Sequence, residues 1–235
     1  MVWTVHHKAS TCSTNLDARK GAPGDVFTAD FQTAGRGRLD HRWQSSRGEN
    51  LMMSAVLDIG GLSPEHVATL PLAVGLSVLR GLSPFLSGAA DALSLKWPND
   101  ILVGGRKISG ILCERQGDLV IAGVGVNVKQ RKFAKDIENR AISLSLLGSV
   151  PSIQEVRDSI LGALGEVYET WRTEGFRAIY PDIAARDYLR GQTLGVIQTD
   201  DDAAPVRGLC GGIQSDGSLL VGDTPVYAGE AHVVA

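Results

Sequence analysis

Short apolar runs alternate with glycine-rich polar segments along the chain, and this alternation predicts its secondary structure. Apolar residues recur with strand-like spacing at 3–5, 26–32 and 51–59. A helix is predicted to begin at Ser13 or Thr14, which are suitable N-caps, and to end near Gly21. Ser63 and Pro64 begin a second helix, in which Pro71 either produces a kink or marks a new start.

Strand signals continue through residues 93–128. The segments LSLKWPND and ILVGGRKISGILCER predict strands around a hairpin turn at Gly104-Gly105. The run DLVIAGVGVNV predicts a central strand buried on both faces. Gly123 and Gly125 within that strand allow a ligand or another backbone to approach closely.

The last third of the chain changes from helical to strand-like spacing. Apolar positions predict one amphipathic helix from Ile153 to about Ala178. Beyond Leu189, short strands are separated by polar turns at 200–202 and 216–217, which predicts a small barrel-like domain. The chain is therefore expected to divide into residues 1–188 and 189–235.

Composition excludes several classes of protein. The 235 residues are 43% hydrophobic and 21% charged, which supports a folded core, and the net charge of −3 argues against a strong nucleic-acid binder. Three well-separated cysteines and the absence of a CxxC motif argue against disulfides and zinc. The N-terminus does not resemble a signal peptide and no continuous apolar run is long enough to span a membrane, so we expect a cytoplasmic protein.

The segment KWPNDILVGGRKISGIL, residues 96–112, places charges between apolar runs that predict buried strands. Charges do not enter a core without partners, so the segment is either a solvated hairpin or part of a ligand site. Lysines and arginines near a carboxylate suit phosphoryl or adenylyl transfer, often with Mg²⁺. The candidates here are Lys96, Asn99, Asp100 and Lys107.

The segment GRGR, residues 35–38, is a second candidate. An isolated GRGR is most often a flexible basic loop, but it also suits an anion clamp, because glycines let backbone N–H groups approach an oxyanion and guanidinium groups bind phosphate. The GxxxxGK[ST] pattern of a P-loop is absent from the chain. Asn127, at the end of the central strand, is either a ligand contact or a strand-end cap.

Four motifs stand in the order and spacing of the bacterial biotin–protein ligases: STN at 13–15, QTAGRGRLDHRW at 32–43, KWPNDILVGGRKISGIL at 96–112 and GVGVNV at 123–128. The whole chain resembles the catalytic and C-terminal domains of that family. The resemblance implies an α/β (α+β) catalytic domain with a mixed sheet over residues 1–188, similar to class II aminoacyl-tRNA synthetases, and a C-terminal SH3-like barrel over 189–235. Because the first motif begins at residue 13, the form without an N-terminal DNA-binding domain is expected.

The resemblance also implies a reaction and its partners. Biotin and ATP would give biotinoyl-5′-AMP and pyrophosphate with the help of Mg²⁺, and the biotin would pass to a lysine of a biotin carboxyl carrier domain. Neither DNA nor a membrane is an expected partner, and a homodimer stays open. Two alternatives remain: a lipoate or octanoate–protein ligase or transferase of the same superfamily, and a non-catalytic biotin-binding regulator.

The motifs assign residue roles by resemblance. The catalytic residues would be Lys107, Arg38 and Asp100, and Asp100 would also hold the metal. Biotin would contact Ser13, Thr14, Asn15, Gln32, Gly35, Arg36, Arg38, Lys107, Gly110 and Gly123. The nucleotide would contact Arg36, Arg38, Trp43, Lys96, Asn99, Asp100, Lys107 and Asn127. All these positions precede residue 128, so the C-terminal domain is expected to stay outside the biotin pocket.

The chain departs from the family pattern in two places. Asp40 and His41 replace the Gly-Arg that many members carry after the GRGR segment. Ala141 stands where the best-known member has an aromatic residue that stacks on adenine. Intermediate retention and adenine recognition are therefore expected to differ in detail from that member.

Overall fold

The computed structural model describes residues 1–38, 42–86, 88–197 and 205–234. Seven of the described strands form a mixed sheet: β1 Thr4–Lys8, β2 Asp25–Ala29, β3 Asn50–Asp58, β4 Leu93–Lys96, β5 Asp100–Val103, β6 Arg106–Gln116 and β7 Leu119–Asn127. Their order is β1-β2-β3-β7-β6-β5-β4. β1 and β2 run parallel, and the other neighbours run antiparallel.

The central position predicted for the valine-rich strand is confirmed, because β7 lies between β3 and β6. Alternate residues Val120, Val124 and Val126 enter the main hydrophobic core. The opposite face carries Gly123 and Gly125, the positions at which the sequence predicted close approach by a ligand or another backbone. These glycines leave that side of the sheet bare, and the pocket described below lies over it.

Five described α-helices lie around the sheet: α1 Thr14–Ala18, α2 Pro64–Ala68, α3 Leu70–Leu82, α4 Ile153–Glu174 and α5 Phe176–Ala184. The larger helices α3 and α4 pack against the valine-bearing face of the sheet, and their apolar residues belong to its core. The short helix α1 lies on the opposite face, where Ala18 packs with Val56 and Ile121. This small helix forms one end of the pocket described below.

Helix boundaries follow local capping. Ser63 caps α2, accepting a hydrogen bond from the His66 backbone N–H at 3.2 Å, and α3 starts anew at Leu70. The second of the two interpretations of Pro71 is therefore confirmed. The single helix predicted after Ile153 is wrong in its length, because Gly175 adopts φ 88° and separates α4 from α5. The left-handed backbone stops the hydrogen-bond ladder even though apolar spacing continues.

The remaining described strands form a second, antiparallel sheet: β8 Thr193–Ile197, β9 Val206–Ile213, β10 Leu219–Val221, β11 Thr224–Val226 and β12 Glu230–Val233. Their order is β11-β10-β9-β8-β12. The predicted turn at 216–217 is confirmed, since Asp216 Oδ1 accepts from the Ser218 N–H at 3.0 Å and Gly217 has φ 86°. The turn predicted at 200–202 lies outside the described residues.

The second sheet shares its hydrophobic core with the main domain. Leu194, Val196 and Leu219 belong to the same buried cluster as the helices. Backbone groups of the sheet also bind the main domain: Trp97 Nε1 donates to the Gly217 carbonyl at 3.2 Å. The small sheet is therefore held against the main domain by buried apolar side chains and by hydrogen bonds.

One helical stretch, Pro64–Phe85, is long and apolar enough to cross a membrane by length and composition, which the sequence pattern had not indicated. Its most apolar window is 67% buried inside the protein. Burial of this kind is what a core helix requires, since its apolar faces already have partners.

Candidate active site

A pocket opens over the glycine-bearing face of the main sheet, between β3, β6 and β7 and the turn that joins β4 to β5. It brings together most of the residues predicted from the motifs. Those in its lining are Ser13, Thr14, Asn15, Gln32, Arg36, Arg38, Trp43, Lys96, Asn99, Asp100, Lys107, Gly110 and Gly123. Residues that are up to 110 positions apart in sequence therefore meet at one site.

One end of the pocket is polar and uncharged. Gln32 Oε1 accepts from the Thr14 backbone N–H at 2.7 Å and from Thr14 Oγ1 at 3.1 Å, which orients the amide. Ser13 caps α1 without a side-chain capping bond, so its buried hydroxyl can serve a ligand. These groups can donate and accept hydrogen bonds over a short distance, as a urea-like ligand requires.

Asn15 supports this polar end from behind. Its Oδ1 lies 2.6 Å from Ser54 Oγ, and its Nδ2 donates to Glu114 Oε2 at 2.7 Å. This position of the Asn15 side chain requires glycine at 123, because a Cβ there would lie 2.2 Å from Asn15 Oδ1. Both ends of the Asn15 amide are thus engaged by protein groups.

Glycines also make the floor of the pocket flat. Gly110 and Gly125 are paired across β6 and β7, and the Trp43 ring lies on both. A Cβ at Gly125 would come within 2.5 Å of that ring. In the described part of the chain the buried Trp43 Nε1 has no hydrogen-bond partner, so this donor is available to a ligand.

The opposite end of the pocket is charged. Arg38 Nη1 donates to the Gly229 carbonyl at 3.2 Å and approaches Asn99 Oδ1 at 3.5 Å. Partial burial lowers the pKa of the Arg38 guanidinium from its usual value, while the negative charges of Asp100 and Glu230 oppose that shift. Arginine nevertheless stays protonated, so a cation is held in a partly desolvated position where it attracts anions strongly.

Lys107 and Asp100 face each other across the β5–β6 hairpin. Lys107 Nζ lies 2.6 Å from Asp100 Oδ1. Within the described structure this buried oxygen accepts no hydrogen bond of good geometry. The carboxylate is therefore ion-paired with the ammonium, and carboxylate oxygens are also the ligands that hard cations prefer.

Two predicted residues are not brought into the lining. Gly35 lies beneath it, where its carbonyl accepts from the Trp43 N–H at 3.2 Å and closes the GRGR loop. Asn127 is buried and donates to the Ile142 carbonyl at 3.0 Å, so it anchors the strand end. The strand-end interpretation of Asn127 describes its geometry here. Ala141 is buried beside Lys107 through an isolated bridge, and Asp40 and His41 lie outside the described residues.

The structure adds residues that the motifs did not indicate. Ser54 is a polar residue within the apolar strand β3, and Glu114 follows the apolar residues of β6. In the sequence, both residues interrupt or end an apolar run, and that signal could have identified them. Glu230 and Ala231 of β12 also line the pocket, and nothing in the sequence pattern placed them there. The C-terminal sheet therefore reaches this pocket, and the expectation that it takes no part in binding biotin stays a prediction.

Comparison with known proteins agrees with this geometry. Residues 8–130 match the model of the biotin/lipoate A/B protein ligase family. The chain is 34% identical over 194 residues to a biotin–[acetyl-CoA-carboxylase] ligase of Mycobacterium tuberculosis, covering 80% of this chain and 70% of that protein. The chain belongs to the biotin/lipoate A/B protein ligase family.

Other relatives differ in length. A biotin–[acetyl-CoA-carboxylase] ligase of Paracoccus denitrificans is 30% identical over 227 residues, covering 91% of this chain and 92% of its own. The chain spans 51% of the length of a bifunctional ligase/repressor from Bacillus subtilis. The family is thus shared by proteins of about this size and by longer ones.

A solved structure supports the fold over the whole chain. The biotin protein ligase from Aquifex aeolicus in complex with biotin and ATP superimposes with a TM-score of 0.85 at 27% identity, covering 98% of each chain. The expected class II synthetase-like catalytic fold, with its mixed sheet and small C-terminal β domain, is therefore confirmed.

Proposed function

We propose that the protein is a biotin–protein ligase. The observation that carries this function is a pocket that combines uncharged polar groups at Thr14 and Gln32 with the cationic side chains of Arg36, Arg38 and Lys107. Biotin has a matching shape, since its ureido ring is polar and neutral and its carboxylate is anionic. The Mycobacterium and Paracoccus relatives carry the same activity in their names.

The reaction needs two anions to meet. A carboxylate oxygen of biotin attacks the α-phosphorus of ATP, and pyrophosphate leaves with the electron pair of the broken P–O bond. Two unit charges 4 Å apart repel by roughly 4 kcal/mol at an effective dielectric constant of about 20. Arg36, Arg38 and Lys107 offset this repulsion, because their positive charges are already oriented before the substrates arrive.

The second half-reaction uses the same cations. The amine of an acceptor lysine attacks the acyl carbon, and AMP leaves with its phosphate bound by the guanidinium groups. The attacking amine must lose a proton, which Asp100, one of the carboxylates that line the pocket, can accept. The acceptor that this reaction implies is the carrier domain of a biotin-dependent carboxylase.

Magnesium fits the site in one way. Among the described residues no group of three or more His, Cys, Asp or Glu side chains could hold a metal ion. The Asp100 carboxylate with substrate phosphates would suffice, because Mg²⁺ commonly takes one or two protein carboxylates and keeps several waters. When bound there, the ion would neutralise charge on the phosphates.

The chain is further inferred to act as two parts, residues 1–188 for biotin activation and 189–235 for completing the cationic end. The Arg38–Gly229 contact and the Glu230 side chain in the lining support this division. The same proposal includes an SH3-like barrel formed by the small sheet. It also includes a cytoplasmic location and no DNA partner.

The proposal is tested by incubating the protein with biotin and α-labelled ATP and separating the products. A labelled adenylate that depends on biotin, with release of pyrophosphate, is expected. Lipoate and octanoate serve as controls, because both have an apolar end that cannot form hydrogen bonds with the polar groups of Thr14 and Gln32. Adenylate formation with lipoate instead of biotin would favour the lipoate ligase alternative, and biotin binding without any adenylate would favour a regulator.

A further inference from the structure

A chain of hydrogen bonds connects the polar end of the pocket to Arg36, one of the arginines in the pocket lining. Ser54 Oγ lies 2.7 Å from Thr14 Oγ1 and 2.6 Å from Asn15 Oδ1. Asn15 Nδ2 then donates to Glu114 Oε2 at 2.7 Å. The other carboxylate oxygen, Oε1, accepts from Arg36 Nη1, also at 2.7 Å. Glu114 is the link between Asn15 and Arg36.

Two positively charged side chains lie beside the single negative charge of Glu114. Arg19 Nη2 also reaches Oε1, at 3.3 Å, so two guanidinium groups share one carboxylate. The Glu114 side chain is 18% exposed, whereas those of Arg36 and Arg19 are 47% and 49% exposed. Since Arg19 can stay with Glu114, the positive charge of Arg36 remains available for a ligand anion.

The geometry of the guanidinium group allows both contacts at once. Arginine presents five N–H donors in a rigid fork, and Glu114 uses Nη1 of Arg36. The remaining donors can face the pocket, which Arg36 lines. A carboxylate placed in this way restricts the rotation of a long side chain that would otherwise move freely in solvent.

We propose that Glu114 is a positioning residue for the ligase reaction. One oxygen fixes the Asn15 amide and the other fixes the Arg36 guanidinium, so the ureido-binding and anion-binding ends are set at one separation. The inference rests on the proposed function, because it takes biotin as the molecule that spans both ends. Glu114 does not line the pocket and acts through the two residues that it holds.

Glu114→Gln separates the two contacts. The carbonyl oxygen of glutamine still accepts from Asn15, while its amide group would face Arg36 donor against donor. Biotin binding must then immobilise Arg36 from a mobile state, and the Kd for biotin is expected to rise roughly threefold to tenfold. Asp182→Asn is the matched control, because Asp182 pairs with Arg80 at 2.5 Å on the surface, and its Kd should equal that of the wild type.

A double-mutant cycle shows whether Glu114 acts through Arg36. Calorimetric Kd values for biotin are compared among wild type, Glu114→Gln, Arg36→Ala and the double variant. The Gln substitution is expected to change Kd by less than about twofold once Arg36 is absent, since coupled residues are non-additive. An equal rise in both backgrounds, or no rise in the single variant, would overturn the proposal.

Two further measurements separate a folding defect from the proposed role of Glu114, and that role from the proposed function. If Glu114→Gln failed to fold by circular dichroism, Glu114→Asp would replace it in the cycle, because a shorter carboxylate cannot reach both partners. Adenylate formation by the wild type tests the proposed function separately. A wild type that binds biotin without adenylating it would refute that function and leave the Glu114 comparison valid, and one that does not bind biotin would refute both.

Discussion

At the scale of single residues, the site works by placing cations where two substrate anions must meet. Lys107 is the clearest example, because its ammonium group is oriented by Asp100 at the cationic end of the pocket. A side chain of this kind costs conformational entropy to fix, and here the carboxylate fixes it before any ligand binds. The catalytic contribution of the residue should therefore exceed its contribution to stability.

Lys107→Ala should slow adenylate formation by about a hundredfold or more, since removing one oriented charge-stabilising group typically costs on the order of 3 kcal/mol in the transition state. The rate is measured as biotin-dependent pyrophosphate release. Lys135→Ala is the control, because Lys135 is exposed and outside the pocket lining. A Lys107→Ala variant that adenylated biotin at the wild-type rate would contradict the assigned role.

Arg38→Gly should weaken retention of the intermediate more than binding of biotin. Free biotin offers a carboxylate alone, whereas the adenylate adds a phosphate that a guanidinium can bind in a bidentate manner. The measurement is non-specific biotinylation of bystander proteins, which should increase, alongside the Kd for biotin. Unchanged leakage from a variant that still forms the adenylate would refute this role.

At the scale of elements, three bare glycines on neighbouring strands make the pocket. Gly123 is the most constrained, since a Cβ there would lie 2.2 Å from Asn15 Oδ1. Gly123→Ala must displace Asn15, and overpacking of this kind commonly costs about 1–3 kcal/mol. The expected results are a lower melting temperature and a Kd for biotin raised at least about tenfold, measured by calorimetry.

Gly162→Ala is the matched control for that substitution. Gly162 lies within α4, and a Cβ there would meet nothing within 4 Å. Alanine in a helix interior is favoured over glycine by roughly 0.5–1 kcal/mol, so this variant should be as stable as the wild type or slightly more stable. Similar losses of biotin affinity in both variants would show that the Gly123 contact is not specific.

The loop that carries GRGR should close over ligand. Arg36 and Arg42 are paired through an isolated bridge at its base, while Arg36, Arg38 and Arg42 bring like charges together. An anion should relieve their repulsion and hold the three guanidinium groups in place. Trypsin is expected to cut after these arginines in the free protein and to be blocked by biotin plus ATP. Equal cleavage in both states would argue against closure.

Sequence reasoning succeeded where a local rule decides the structure. The Gly104-Gly105 turn follows from the need for positive φ, and both residues adopt it at 55° and 77°. The helix break at Gly175 was missed because apolar positions continue at helical spacing through Phe176 and Ile179. Periodicity reports which face is buried and does not report where a single residue turns the backbone.

The site residues also divide into those that a sequence motif predicts and those that it does not. Lys107, Arg38 and Asp100 carry recognisable motifs, and the structure places all three in one pocket. Glu230 has no such motif, because its presence depends on how the second sheet docks and not on its neighbours in sequence. Contacts that tertiary packing creates between distant segments leave little trace in one sequence.

At the scale of the whole molecule, the second sheet completes the site by docking on the first. Asp187 lies where the chain passes between them: its Oδ1 accepts from the Leu189 N–H at 2.9 Å and its Oδ2 from the Ile213 N–H at 2.7 Å. Docking in turn brings the Gly229 carbonyl to Arg38. The position of a main-domain arginine thus depends on a contact made by the small sheet.

Asp187→Ala should therefore loosen the docking and impair activation more than biotin recognition. Leaving a buried backbone N–H without a partner costs about 1–3 kcal/mol, so the melting temperature should fall. Adenylate formation should fall as Arg38 loses its fixed position, while the Kd for biotin stays within about twofold, since Thr14 and Gln32 bind the polar end within the main domain. Asp158→Ala, at an exposed carboxylate of α4, should change none of these quantities. A Kd that rose as much as the adenylation rate fell, in a variant still folded by circular dichroism, would mean that the small sheet shapes the whole pocket and not its cationic end alone.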